Sequence, residues 1–90
     1  MKVRFFAAAA AATGVEEQQL DLGATAVFTL AELSGLLADS FPASASSSTP
    51  PLSELLTRCS FLINEVAARD LGAALAPDDV VDVLPPFAGG

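Results

Sequence analysis

The stretch that most limits the fold is Phe28–Phe41, "FTLAELSGLLADSF". Thr29 is followed three residues later by Glu32, the spacing of a capping box, in which each side chain satisfies a backbone N–H of the first helical turn. Leu30, Leu33 and Leu37 then fall on one face at helical spacing, and Phe41 extends the stripe. The pattern predicts a helix from about residue 29 to 40. Gly35 weakens it by roughly 1 kcal/mol relative to alanine, and Pro42 stops it. A helix with a single leucine face must lie on something. A chain of 90 residues buries only about 60–65% of its unfolded surface, so its partner layer has to come from the short segments on either side. Those segments read as strands.

"KVRFF" alternates, with Val3 and Phe5 on one face and Lys2 and Arg4 on the other, which predicts a strand over residues 2–8. The alanines up to Thr13 form a short helical turn closed by Gly14. "VEEQQLDL" places Leu20 and Leu22 opposite Glu17, Gln19 and Asp21. It predicts a half-buried strand over residues 15–22, paired with the first as a hairpin and ended by Gly23. "PASASSSTPP" is loop. Pro51 suits a first helical position, and "LSELL" predicts a short helix with Leu52, Leu55 and Leu56 turned inward. "CSFLIN" is an apolar run too short for a helix, expected as a central strand buried on both faces and ending in a turn at Asn64–Glu65. "VAAR" is expected as a short edge strand, Leu75 as a core residue in the loop after it, and "APDD" as a turn with Pro77 at its first corner. "VVDVL" is the last strand. The expected order is strand, strand, helix, short helix, strand, short strand, strand. That is an α+β fold, a mixed sheet of about five strands with one main helix across one face, the first and last strands forming the central pair.

Composition excludes several functions. The formal net charge is -7, with Lys2, Arg4, Arg58 and Arg69 the four cations, too few to neutralise a row of phosphates, so no nucleic-acid partner is expected. There is no histidine and one cysteine, Cys59. Ser–His and Cys–His nucleophile pairs are excluded, and a zinc site is not expected. A single cysteine allows no intramolecular disulfide and fits a reducing, cytoplasmic location; Cys59 itself is expected to be an inert space-filler. Asp78, Asp79 and Asp82 read as one acidic cluster, a solvated turn and not a metal site. "MKVRFFAAAAAATG" has a basic start and an apolar run, yet its charges interleave with apolar residues and the run is too short to span a bilayer, so neither a signal peptide nor a membrane segment is expected. The chain therefore points away from a self-sufficient enzyme.

One feature is left over. The last strand runs directly into Pro85-Pro86-Phe87-Ala88-Gly89-Gly90. Two prolines favour an extended backbone and cannot continue a ladder. Phe87 is a large apolar side chain beyond them. Ala88, Gly89 and Gly90 present almost no side-chain volume, so this thread could enter a narrow channel with its backbone against a partner's backbone. The division expected is a domain over residues 1–84 and a tail over residues 85–90, with the Gly90 carboxylate as the reacting group. Such a carboxylate becomes an electrophile once coupled to adenylate.

These residues carry a resemblance. The chain resembles the small, sulfur-carrying subunits of molybdopterin synthase, which are ubiquitin-like β-grasp proteins. "KVRFFA" is similar to their first strand and Gly14 to the glycine before their second. Thr29, Glu32 and Leu33 match their helix start and Pro42 the proline after it. Asn64 matches the asparagine ending their third strand, Asp79 their Gly-Asp turn, and "VDVLPPFAGG" their last strand and Pro-Pro-x-x-Gly-Gly ending. Asp78 stands where the family usually has glycine, and the serine-rich loop over residues 43–50 does not share the likeness. The resemblance implies that Gly90 is adenylated by a ubiquitin-activating-like adenylyltransferase using ATP. It is then converted to a thiocarboxylate, with a sulfurtransferase as sulfur source. Pro85, Pro86, Phe87, Ala88 and Gly89 would lead it into the large subunit of molybdopterin synthase, where sulfur passes to a cyclic pyranopterin phosphate. No cofactor is expected on this chain. The alternatives are a β-grasp carrier for thiamine or cysteine synthesis, a ubiquitin-like protein modifier, and a purely structural binding module that would work without Gly90.

Overall fold

A strand at each end of the chain builds the middle of the fold. In the computed structural model, which describes residues 1–21 and 28–86, β1 (Lys2–Phe5) lies parallel to β7 (Val80–Leu84), Val3 opposite Val81 and Phe5 opposite Val83. Between them in sequence come α1 (Ala8–Thr13), β2 (Glu17–Gln19), β3 (Phe28–Thr29), α2 (Leu30–Ser40), α3 (Leu52–Leu55), β4 (Ser60–Ile63), β5 (Val66–Ala68) and β6 (Ala74–Leu75). The main sheet has five strands in the order β2-β1-β7-β4-β5, and β3 pairs with β6 in a separate two-stranded ribbon. Only β1 and β7 run parallel; β2, β4 and β5 join antiparallel. Such a parallel pair needs a long crossover, and the chain between β1 and β7 supplies it, carrying α2.

The two faces of the sheet follow from alternation. Val3, Phe5, Phe61, Val81 and Val83 are buried on one face, where they meet Leu30, Leu33 and Leu37 of α2, Leu52 and Leu56 at α3, and Ala9 and Ala12 of α1. Fully burying each of these larger side chains stabilises the fold by about 1.5–3 kcal/mol. The ring of Phe41, one residue past α2, meets Phe5 edge-on at 5.8 Å. The capping box forms in full: Glu32 N–H donates to Thr29 Oγ1 at 3.2 Å, and Thr29 N–H donates to Glu32 Oε1 at 3.1 Å.

Several boundaries differ from those read in the sequence. The first strand ends at Phe5, not residue 8, because Ala7 takes φ 50°, which turns the chain into α1. α1 is a true helix, ended by Gly14 at φ 78°, a left-handed conformation that glycine adopts without strain. A side chain there would also meet Ala45 Cβ at 3.1 Å. The second strand is Glu17–Gln19 instead of residues 15–22, with Leu20 half-buried beyond it; Leu22 and Gly23 lie outside the described residues. It pairs antiparallel with β1 as expected, but the connection is α1 instead of a hairpin turn. Pro51 is the cap of α3 and Leu52 its first residue. Leu52 and Leu56 are buried, and Leu55 is half-buried.

β4 is interior to the sheet but is not covered on both faces. Phe61 is buried, Leu62 and Ile63 are half-buried and Ser60 is exposed, because the helices occupy only one side. β5 is the edge strand, as expected for "VAAR". Leu75 is buried, yet it belongs to β6, opposite Phe28 of β3. That ribbon gave no periodic signal, since two residues cannot show a period.

Candidate functional site

The site read from the sequence begins where β7 ends. Val81, Asp82 and Val83 are buried and Leu84 half-buried. Pro85 is buried and Pro86 exposed, so the chain leaves the sheet between them. β7 pairs with β1 on one side through Val80–Val83 and with β4 on the other through Val81–Leu84, so the root of the tail leaves a strand held on both sides. Phe87, Ala88, Gly89 and Gly90 lie outside the described residues.

Around this root the structure builds a cleft of about 480 Å³ lined by Phe6, Ala7, Ser60, Leu84, Pro85 and Pro86. Phe6 is held in place because its N–H donates to the Val83 carbonyl at 3.2 Å, extending the β1–β7 register by one residue. The residue remains 40% exposed. Phe6, Leu62, Val80 and Leu84 all project from the sheet face opposite the helices, by alternation from the buried Phe5, Phe61, Val81 and Val83. Apolar side chains thus border the base of the tail, on a sheet face that also carries Arg4 and Asp82. An apolar patch of this kind beside a strand end can seat a partner protein.

Two polar arrangements hold the face. In the first, Arg4 donates from Nε to Asp82 Oδ1 at 2.6 Å and from Nη2 to Asp82 Oδ2 at 2.8 Å, a two-pronged pair between directly opposed residues of β1 and β7. The hydrogen bond to Asp82 raises the pKa of Arg4 above its already high ordinary value. In the second, Asn64 clamps the β4–β5 turn to the start of β7. Its Nδ2 donates to Asp79 Oδ1 at 2.9 Å, its Oδ1 accepts from Val80 N–H at 3.0 Å, and its own N–H donates to the Val80 carbonyl at 2.8 Å. Asn64 and Glu65 have φ 51° and 70°, the paired positive values of a tight hairpin turn. Asp79 Oδ2 also accepts from Ala76 N–H at 2.8 Å.

The acidic cluster is therefore not one cluster. Asp79 closes the turn that "APDD" predicted, while Asp82 sits inside β7 with its side chain only 5% exposed against Arg4. Among the described residues no group of three or more acidic, cysteine or histidine side chains could hold a metal. Reading the cluster by proximity in sequence hid the alternation of β7, which turns Asp82 to the face carrying Arg4. Cys59 is half-buried beside a second cleft lined by Phe61, Leu62 and Leu71. Burial pushes its thiol up to about 11, so almost no thiolate exists at neutral pH. No helix of the described residues is long and apolar enough to cross a membrane.

This sheet order with one main helix across a mixed five-stranded sheet is that of a ubiquitin-like β-grasp protein. The chain belongs to the ThiS family, whose pattern matches residues 3–90 and so includes the tail; it has the fold of a small ubiquitin-like sulfur carrier. Among solved structures it is similar to SAMP1 from Haloferax volcanii, with 28% identity, 99% of this chain and 97% of that chain covered, and a TM-score of 0.73. It is similar as well to a chain in the complex of subunits 1 and 2 of molybdopterin-converting factor from Helicobacter pylori 26695, with 26% identity, 99% and 96% covered, and a TM-score of 0.61. A second structure of small archaeal modifier protein 1 from H. volcanii, at 22% identity, 96% and 95% coverage and a TM-score of 0.69, shares the fold. No curated protein sequence matches the chain significantly.

Proposed function

We propose that the chain is a sulfur carrier for molybdopterin synthesis, with the Gly90 carboxylate as the group that is activated, loaded and unloaded. One observation carries the reading. The central strand, β7, is fixed on both sides by β1 and β4 and leads into Pro85 and Pro86 at one end of the sheet, beside an apolar cleft. A thread held so firmly at its root is suited to delivery, since less freedom is lost when a partner takes it.

The chemistry balances as follows. An adenylating partner joins the Gly90 carboxylate to the α-phosphate of ATP and releases pyrophosphate. Hydrosulfide then attacks the acyl carbon, the acyl–phosphate bond breaks and AMP leaves, which gives a thiocarboxylate. In the large subunit of a molybdopterin synthase, the thiocarboxylate sulfur bonds to a pyranopterin carbon as an oxygen leaving group departs from that carbon, and water then cleaves the acyl–sulfur bond, leaving sulfur on the pterin and restoring the carboxylate. This chain contributes the carboxyl and the docking face; the partner supplies cationic groups to steady the developing charge. The likeness to a chain of the molybdopterin-converting factor complex supports a large-subunit partner. The likeness to SAMP1 favours a second reading, a modifier whose Gly90 ends in an amide to a lysine of another protein.

The test is to load the chain at Gly90 and offer it to a molybdopterin synthase large subunit with the cyclic pyranopterin precursor. In parallel, it is offered to thiazole-forming and cysteine-forming enzymes. Dithiolene formation, with the chain returned as an ordinary carboxylate, is the expected result. Sulfur leaving only in the other mixtures overturns the pathway. Amide-linked targets in the native host, with no thiocarboxylate on the free chain, favour the modifier.

A further inference from the structure

The two edges of the main sheet are built differently. β2 presents Glu17, Gln18 and Gln19, all exposed, with Lys2 of β1 beside Glu17 at 3.7 Å, so water covers that edge. β5 presents Val66, Ala67 and Ala68. It has no lysine, no proline and no charge within the strand, and its register with β4 is unbroken, so no bulge turns it away. These are the devices that usually keep an edge from pairing. Val66 is 68% exposed.

The hairpin decides which backbone groups of β5 face outward. Asn64–Glu65 is a two-residue turn that sets Ile63 opposite Val66, so Val66 exchanges hydrogen bonds with β4 and the N–H and C=O of Ala67 point away from it. Peptides are trans. The Glu65 carbonyl therefore points outward because the Val66 N–H points inward, and the Arg69 N–H points outward because the Ala68 carbonyl points inward. β5 has no second strand beside it.

We propose that β5 pairs with β5 of a second copy of this chain, antiparallel about a twofold axis at Ala67, joining two five-stranded sheets into one. The two Ala67 residues exchange both hydrogen bonds, and each Arg69 N–H donates to the partner's Glu65 carbonyl. Of the registers that alternation allows, this one pairs the whole strand and sets Glu65 of one protomer opposite Arg69 of its partner, twice, on one face. Both charges are available. Arg69 makes no ion pair among the described residues, and Asp70 beside it accepts from Gly72 N–H in its own loop at 2.8 Å. Arg4, which lines a small cleft with Glu65, is already held by Asp82. On the other face Val66 stands opposite Ala68, which lines a cleft of about 420 Å³ with Leu56, Phe61 and Leu71, so the exposed valine is covered at the mouth of that cleft. A second copy supplies this order of charge and side-chain size by symmetry. The inference does not use the carrier reading: β4 separates β5 from β7, and the twofold sets the two β7 ends at opposite ends of the joined sheet.

The experiment follows the oligomeric state of the full-length chain by sedimentation across a concentration series. The formal charge of -7 on each copy opposes pairing, and the strand is short. The wild type is therefore expected to dimerise reversibly with a dissociation constant between about 10 μM and 1 mM. Val66→Lys places a charge on the edge at an exposed position and should weaken the dimer about tenfold or more. Glu65→Lys and Arg69→Glu each set like charges opposite one another and should weaken it about as much, whereas an equimolar mixture of the two pairs unlike charges at both positions and should dimerise within about threefold of the wild type. The Ala67 amide should exchange more slowly as concentration rises. A wild type that stays monomeric at about 1 mM leaves the edge to a strand of another protein and overturns the proposal. A dimer insensitive to Val66→Lys overturns it too, because the contact then lies elsewhere. Failure of the mixture, with both variants folded by circular dichroism, overturns the register at Ala67. If Val66→Lys does not fold, the mixture decides.

Discussion

Ala7 is the residue where local chemistry and fold disagree most. Its φ of 50° and ψ of -124° lie in a region that a Cβ disfavours, and holding a residue there costs about 1–3 kcal/mol. The turn is needed because β1 must end before the alanine run can fold into α1 and bring Ala9 and Ala12 into the core. Ala7→Gly should therefore raise stability by about 1 kcal/mol, read as a higher urea midpoint with an unchanged slope; a lower midpoint would show that the backbone is not strained there. Cys59 makes a second residue-scale prediction. Its thiol is raised from 9.0 to about 11 by burial, so from pH ~9 to ~11 the unfolded chain gives up a proton that the folded chain keeps. Stability contributed by the neutral thiol is present below pH ~9 and is lost as pH rises through ~11. Cys59→Ala should flatten the fall in stability over that window, and an identical pH profile would place the thiol in water. Arg4 and Asp82 show what a sequence hides at this scale. Arg4 was readable on the outward phase of its strand, but Asp82 was read into the acidic turn, and their pairing depended on a parallel register across 78 positions.

At the scale of elements, the legible parts were those with their own internal chemistry. α2 was readable because Thr29, Glu32 and the leucine stripe are local, and the structure buries Leu30, Leu33 and Leu37 together. The turn at Asn64–Glu65 was readable because asparagine tolerates positive φ. Strand ends were less legible, since Phe6 and Leu20 continue an apolar pattern after the ladder has stopped. β3 and β6 were not legible, because their pairing is set by where the crossover passes and not by any repeat. The apolar run of β4 suggested two covered faces, yet only the helix side is covered, and the exposed phase belongs to the candidate docking surface. Two substitutions in α2 separate packing from propensity. Leu33→Ala leaves a hole under the helix and should cost about 2–5 kcal/mol. Gly35 has open space where a Cβ would stand, so Gly35→Ala should add about 0.5–1 kcal/mol. Denaturation midpoints moving the same way for both would mean that the buried face has been misassigned.

For the whole molecule, the decisive question is whether folding and function divide between residues 1–84 and 85–90. The last strand ends at Leu84, and among the described residues the core cluster is drawn from Met1 to Val83. The proposal for the tail comes from its prolines, one aromatic and two glycines, which suit delivery to a narrow site, whereas its cargo entered only through family likeness. Phe87→Ala should weaken binding to the large subunit by about thirtyfold or more, as loss of an apolar anchor commonly costs about 2 kcal/mol or more, while Cys59→Ser should change it little. Equal affinities for the wild type and Phe87→Ala would mean that the open face around Phe6 and Leu84 holds the complex by itself. The sharper test acts on the carboxylate alone. Adding one residue after Gly90 moves the proposed reacting group by a single residue length, about 3.3–3.6 Å, and alters no side chain of the described core. The thermal midpoint should stay the same, and thiocarboxylate measured by intact mass should vanish. A shifted midpoint would show that the tail takes part in the fold, and an extended chain that still gained a sulfur atom without being trimmed would remove Gly90 from the mechanism.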